Sequence, residues 1–380
     1  VPKSKTYLTT NLLRQIEILK DKKVNLKNYI RKEIIRKFII YLAINLIYIL
    51  VTFFFDKNNF LFISKSLFFI WFVGNFFFII IYSLKLFDTS ERMKSFRELS
   101  INSKNDSYFE FPKITKNVDQ KVNSYILDCK KLLFKPIIEL FVNNIEYFPQ
   151  KFFKYEKVIE SNLFPDLPID INLYHKKNKK SKFHFKGRDA VQGYLGENYV
   201  EFCELDISQS YYSGGETSNR EIFHGLFLIA DYKNIQFKTI LQSEFLGKLT
   251  SRFNMRSLNF RDEIQLKKIE LQNLKFNKYF SVYSEDDIEA RKILSPIILE
   301  NFGNFAEKNN ITIKLSFINN QVFIALGVGQ IFEPNLKDVL PLMKINLDLI
   351  ENDAERIYEE ISLVSYIIKD LRLNSLIQSN

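Results

Sequence analysis

Two uncharged apolar runs lying close together constrain this chain more than any other feature. Phe38–Phe55 (FIIYLAINLIYILVTFFF) and Ser66–Leu84 (SLFFIWFVGNFFFIIIYSL) contain no Asp, Glu, Lys or Arg. At the helical rise of ~1.5 Å per residue, each reaches roughly 27–29 Å, close to the depth of a bilayer hydrocarbon core. A short polar break around Asp56–Asn59 separates them. The pattern predicts a transmembrane helical hairpin over residues 38–87.

Charge placement orients that hairpin. Lys20, Lys22, Lys23, Lys27, Arg31, Lys32, Arg36 and Lys37 precede the first run, and Lys85, Arg92, Lys94, Arg97 and Lys104 follow the second. The connecting loop carries only Lys57, with Lys65 just beyond. Positive flanks face the cytoplasm, so both termini are expected there and the loop outside. No secretory signal is expected, because the first run is long and begins well along the chain. With only Cys129 and Cys203 present, no structural disulfide is expected in a cytosolic domain.

Asn45 and Asn75 lie near the middle of their runs. In an antiparallel hairpin they sit at similar depth, where carboxamides in hydrocarbon seek partners, so an interhelical Asn45–Asn75 pair is expected. The alternative is a polar path lining, which two spans without an intramembrane acid do not favour.

The rest divides by pattern. Leu12, Ile16, Leu19, Leu26 and Ile30 recur at helical spacing, interrupted by Lys23, and predict an amphipathic juxtamembrane helix over residues 1–37. Such a helix can lie on anionic lipid or pack on its own protein. Val118, Val122, Ile126, Cys129 and Leu133 continue a helix that Pro136 should end or kink. Ile137, Leu140, Phe141 and Ile145 then read as a second piece, giving a helical stalk over 88–160. From 161 to 380 the pattern is α+β. Strand-like runs at Tyr199–Ile207, Ile222–Ala230, Gln236–Leu241, Gln265–Leu271 and Tyr279–Tyr283 are followed by a helix. Ser284 would cap that helix in a capping-box-like arrangement with Asp287. Thr312–Phe317 and Val322–Leu326 flank Asn319-Asn320 as a hairpin. Met343, Leu347, Ile350, Ala354, Ile357, Ile361, Val364, Ile368 and Leu371 form a heptad-like stripe on a long last helix. Ile345, Leu349, Tyr358, Leu363 and Ile367 widen its face, which favours packing on its own domain over a coiled coil between copies.

The formal charge is +10, from 54 Lys and Arg against 44 Asp and Glu. The densest basic segment holds Lys176, Lys177, Lys179, Lys180, Lys182, Lys186 and Arg188, with His175, His184, Phe183 and Phe185 among them. It is a candidate contact for anions or lipid head groups, or else a solvated hairpin tip. It lacks the arginine-aromatic platform of a nucleic-acid reader, and a membrane tether makes lipid the nearer anion. No catalytic constellation is apparent. Glu204 beside Cys203 opposes thiolate formation, even with His224 on a neighbouring strand. None of the three histidines has zinc-ligand spacing. Neither Gly214-Gly215 nor Gly327-Val328-Gly329 has the context of a phosphate-binding loop. No cofactor or metal is expected on these grounds.

Phe223–Phe237 (FHGLFLIADYKNIQF), Tyr279–Pro296 (YFSVYSEDDIEARKILSP), Leu315–Leu326 (LSFINNQVFIAL) and Ile367–Asn374 (IIKDLRLN) resemble the bacterial membrane-protein domain-of-unknown-function family 3137. The paired N-terminal runs resemble its layout too. The resemblance implies a bacterial inner-membrane protein and carries no assigned activity. The expected architecture is α+β: a two-helix transmembrane hairpin, a helical stalk, and a cytoplasmic, mainly antiparallel sheet domain with a long C-terminal helix. The expected role is a membrane-anchored scaffold or regulatory module for protein partners. The alternative is an anionic-lipid-binding or sensing module, and an enzyme acting on a membrane-derived substrate ranks behind both.

Overall fold

The structure, a computed structural model, describes residues 10–56, 114–213, 216–232, 235–243, 266–308, 311–329, 331–336 and 346–370. The expected second membrane run and Asn75 lie outside these residues, as does the side chain of Asn45. The described residues form an α+β structure around one antiparallel sheet. The chain divides into two compact units.

One unit, assembled from residues 1–16, 127–334 and 349–380, contains the sheet. Its nine strands are β1 (Asn143–Phe148), β2 (Ser181–Leu195), β3 (Asn198–Ser213), β4 (Glu216–Asp231), β5 (Thr239–Ser243), β6 (Lys267–Ile269), β7 (Phe280–Ser284), β8 (Thr312–Ile318) and β9 (Gln321–Gly327). They run in the order β1-β2-β3-β4-β9-β8-β5-β7-β6, every neighbouring pair antiparallel. The β8–β9 turn is the expected one: Asn319 and Asn320 both take positive φ, 51° and 57°, as a two-residue hairpin with right-handed strand twist requires.

One sheet face is an apolar core. Phe183 from β2, Cys203, Leu205 and Ile207 from β3, Phe223, Phe227 and Ile229 from β4, and Phe323 and Ala325 from β9 meet Val158, Leu163, Phe164 and Leu167. The latter lie in and after α4 (Tyr155–Glu160), ahead of α5 (Ile171–Lys177). Rings close the contact, with Phe164 centred 5.1 Å from Phe223 and Tyr174 of α5 centred 5.0 Å from Phe183.

Sequence and structure differ at four places in this unit. Residues 143–148 are the edge strand β1 instead of helix, because Glu146, Tyr147 and Phe148 pair with Gln192, Val191 and Ala190. Pro136 does not stop its helix at once. α2 (Ile114–Cys129) passes into a π-helical stretch, Lys130–Phe134, then into α3 (Lys135–Ile138), which contains the proline. Wider π spacing takes up the irregularity that a ring without an N–H introduces. The basic segment is not a loop throughout, since Ser181–Leu195 is a 15-residue strand. Finally, the cap of α7 (Asp287–Ile293) is Asp286, whose carboxylate accepts from the Glu289 N–H at 2.7 Å. Ser284 is unavailable for that role. It is the buried last residue of β7, and its hydroxyl lies 2.8 Å from Thr239 Oγ1 across the strand pair.

α6 (Leu274–Tyr279) and α8 (Pro296–Lys308) also belong to this unit. The long last helix, α9 (Asp348–Asp370), buries Ile350, Ala354, Ile357, Ile361, Val364 and Ile368 at 3% exposure or less within a single chain. Its stripe therefore packs in cis.

The other unit comprises residues 17–126 and 335–348. Most of α1 (Thr10–Asp56), an unbroken helix of 47 residues, lies here. Its N-terminal stripe is buried at Leu12, Ile16, Leu19, Leu26 and Ile30, and Lys23 is buried in line with them. Lys23 keeps its ammonium near the Asn346 carbonyl, at 3.4 Å. That stripe is therefore covered by protein. Further along, Ile39, Ile40, Ile44, Leu46 and Ile47 are exposed. Among the described residues no helix is long and apolar enough to cross a membrane; the side chains described in the first apolar run end at Ile47.

Candidate functional site

Chemistry-bearing side chains gather in two places, both set by β2. Along β2 the pairing with β1 covers only Ala190–Tyr194, and along β4 the pairing with β9 covers only Leu226–Asp231. Among the described residues, the remainder of β2, β3 and β4 pairs only among itself, forming a three-stranded arm. Gly225 marks the junction. A Cβ there would lie 2.0 Å from the Leu326 carbonyl oxygen, so the close approach of β9 admits only glycine.

At the base of the arm is a buried ionic cluster. Arg188 and Glu204 face each other across β2–β3, with Arg188 Nε 3.1 Å from Glu204 Oε2. Arg188 Nη1 also reaches Glu333 Oε1 at 3.0 Å, while Glu204 Oε1 accepts the Ile331 N–H at 3.2 Å. The segment after β9 is held against the sheet in this way. Arg356 of α9 continues the chain of contacts, donating to the Glu333 carbonyl at 2.7 Å and to Asp353 at 2.9 Å.

Next to Arg188, β2 carries a bulge between Arg188 and Val191. Asp189 occupies it with φ of 58°, a left-handed conformation that Asp tolerates better than most residues. This turns its carboxylate inward, where Lys130 of the π-helical stretch donates to both oxygens at 2.8 and 2.6 Å and Tyr147 of β1 donates at 2.5 Å. Burial pushes Asp189 up to about 6, opposed by the Lys130 charge and the two hydrogen-bond donors. Burial likewise pushes Lys130 down, opposed by Asp189, and drives the Tyr147 phenol well up. The two groups satisfy each other's hydrogen bonds inside the fold. Asp189 is 0% exposed and Lys130 4%, so the cluster joins β1, β2 and the π-helical stretch and offers no open face to a substrate.

The other gathering is the far end of the arm, which carries the basic segment. Lys176 and Lys177 end α5, Lys179 and Lys180 form the turn into β2, and Lys182 is exposed on the strand. Strand alternation puts Lys182, His184 and Lys186 on the face opposite Phe183 and Phe185. Their neighbours across β3 are Ser210, Ser208 and Asp206. His184 Nε2 lies 2.7 Å from Ser210 Oγ, which in turn bonds Asn219 on β4 at 2.8 Å. Burial and the charges of Lys186, His175 and Lys182 lower the His184 pKa, so its imidazole is neutral at pH 7. The structure brings Lys176, Lys177, Lys179, Lys180 and Lys182 to one end. Lys186 stands further in, and Arg188 is engaged in the ionic cluster.

Uncovered apolar groups accompany these lysines: Leu173 and Tyr212 are 47% and 54% exposed, and Ile169, just ahead of the cap of α5, is 72% exposed. The Tyr212 N–H donates to the Lys180 carbonyl at 2.8 Å, and Asp170 caps α5 by accepting the Leu173 N–H at 2.9 Å. Sequence reading missed them because each stands alone in the chain; only the fold places them around the lysines.

Cys203 and His224 lie on opposite faces of the sheet. Cys203 pairs with Phe227 on the core face, fully buried, and burial raises its pKa. His224 pairs with Asp206 and is partly open. The carboxylates around α7 hold backbone N–H groups: Glu289 accepts from Gln236 and Phe237, and Glu285 from Lys238. Among the described residues no group of three or more His, Cys, Asp or Glu could hold a metal ion.

Residues 221–373 match the family model described as Protein of unknown function (DUF3137). The match runs from within β4 to beyond α9 and leaves α1, the π-helical stretch and the basic segment outside it. No curated protein and no solved structure matches the chain.

Proposed function

We propose that this chain, which carries a DUF3137 domain at residues 221–373, is a membrane-anchored scaffold or regulatory module. In this reading the hairpin over 38–87 anchors it in a bacterial inner membrane, and the sheet-bearing unit meets its partners in the cytoplasm. The observation that carries the reading is the second half of α1. One helix runs unbroken from the buried stripe into the uncharged run, and there Ile39, Ile40, Ile44, Leu46 and Ile47 are 50–62% exposed. Leaving a row of such half-exposed side chains in water forfeits about 1–2 kcal/mol apiece, which a lipid environment restores. The interior chemistry agrees with a binding role, because Lys130, Asp189, Arg188 and Glu204 neutralise one another and Cys203 is sealed in the core.

Alkaline carbonate extraction of the full chain tests the anchor. The chain is expected to remain in the membrane pellet. Ile44→Asp combined with Ile47→Asp, at about 3 kcal/mol of insertion cost per aspartate near a span centre, is expected to shift it to the supernatant. Release of the parent chain by carbonate would overturn the reading.

A further inference from the structure

We infer that the end of the three-stranded arm is a second membrane contact, one that recognises anionic phospholipid head groups. The inference rests on the anchored reading above and adds to it a specific surface and its ligand chemistry. Four observations converge. The end carries Lys176, Lys177, Lys179, Lys180 and Lys182, all exposed and confined to a short helix, its following turn and the first residues of β2. Leu173 and Tyr212 stand uncovered beside them, with Ile169 uncovered at the start of the same short helix. Of the nearby acids, Asp166 pairs with Arg220 at 2.6 Å and Asp170 keeps its charge while capping α5, so the five lysines outnumber the carboxylate left beside them and dominate the local field. The support beneath is rigid: Tyr174 packs on Phe183, His175 Nε2 accepts the Phe183 N–H at 2.9 Å, and Gln209 donates to Ser181 at 2.9 Å.

Apolar side chains and a tyrosine ringed by lysines match the boundary layer of a bilayer. Apolar groups and the phenol ring settle between head groups there, while lysine stems extend their ammoniums to phosphate. A zwitterionic surface offers the same apolar layer without net charge, so the proposal requires dependence on anionic lipid and on salt. Because α1 would already hold the chain at a bilayer, contact by the arm is a local association and needs little affinity of its own.

The test uses the full chain reconstituted into vesicles, with an environment-sensitive fluorophore on Asn172→Cys; Asn172 is exposed beside Leu173, and both native cysteines are buried. The control site is Glu197→Cys, exposed in the turn at the other end of the same hairpin and roughly 45 Å away along β2 at ~3.3 Å per residue. Quenching by spin-labelled lipid is compared in phosphatidylcholine vesicles and in an equimolar mixture with phosphatidylglycerol. The expected result is quenching at residue 172, not at 197, in the anionic vesicles only. It should disappear at about 0.5 M salt, where screening acts within a few ångströms. It should also disappear when the five lysines are replaced by glutamine. Equal quenching in both vesicle types, no quenching in either, or quenching unaffected by the lysine changes overturns the proposal. Co-flotation of the chain with phosphatidylcholine vesicles reports the anchor separately, so a silent arm on a floating chain refutes only the arm contact.

Discussion

Glu360 shows what burial does to a single carboxyl group on α9. Its Oε2 is buried with no hydrogen-bond partner among the described residues. Burial, reinforced by the neighbouring Glu359 charge and opposed by Arg356, raises its pKa from 4.5 to about 7. The folded state therefore holds this proton to higher pH than the unfolded chain does. Between those two values the folded state binds more protons, so stability falls as pH rises; the cost is complete above pH 7 and absent below 4.5. With partial solvent screening it amounts to about 1–2 kcal/mol. Glu360→Gln is expected to raise the melting temperature of the detergent-solubilised chain at pH 8 by a few degrees and to leave it unchanged at pH 4.5. Parallel melting curves at both pH values would show that this carboxyl does not titrate as described.

Among the elements, the π-helical stretch and the bulge of β2 are bound to each other through Lys130 and Asp189, 2.6 Å apart at closest. Removing one partner from a buried pair leaves an uncompensated charge, at about 3–5 kcal/mol. Lys130→Met and Asp189→Asn are each expected to destabilise the chain on that scale. The double variant should recover part of the loss, with a coupling of about 1–3 kcal/mol in thermal or denaturant unfolding; strict additivity would mean the pair does not hold these elements together. Asparagine is chosen because it tolerates the positive φ of position 189. Nothing in the sequence announces this pair. Lys130 lies among solvated-looking lysines, Asp189 follows a basic segment, and a separation of 59 positions along the chain hides the contact. Other elements were legible for local reasons. The β8–β9 turn is written in Asn319-Asn320, and the stripe of α9 is long enough to identify its buried face. β2 was obscured although Phe183 and Phe185 alternate with Lys182, His184 and Lys186 as a half-buried strand should, because lysine density reads as loop. β3 and β4 extend beyond the runs expected for them because their outer halves, 208–213 and 216–221, are almost wholly polar and pair through the backbone with no apolar alternation to announce a strand.

For the whole molecule, hydrophobicity outweighs motif. The arm, the ionic cluster and the packed α9 form a body whose buried ionic groups are paired internally, while α1 carries apolar side chains that the described protein leaves uncovered. The membrane reading comes from the sequence, where bilayer thickness and charge asymmetry give the apolar runs and flanking lysines their meaning. The end of the arm was legible only in part: five lysines announced themselves, whereas Ile169, Leu173 and Tyr212 needed the fold to join them. The central claim is that the chain is anchored through its N-terminal hairpin with the sheet-bearing unit in the cytoplasm. Cysteine accessibility in spheroplasts tests it most directly, since native Cys129 and Cys203 are buried. A membrane-impermeant maleimide is expected to label Asn58→Cys in intact spheroplasts and to label Glu197→Cys only after the membrane is permeabilised. Labelling of Glu197→Cys before permeabilisation, or protection of Asn58→Cys until then, would contradict the account.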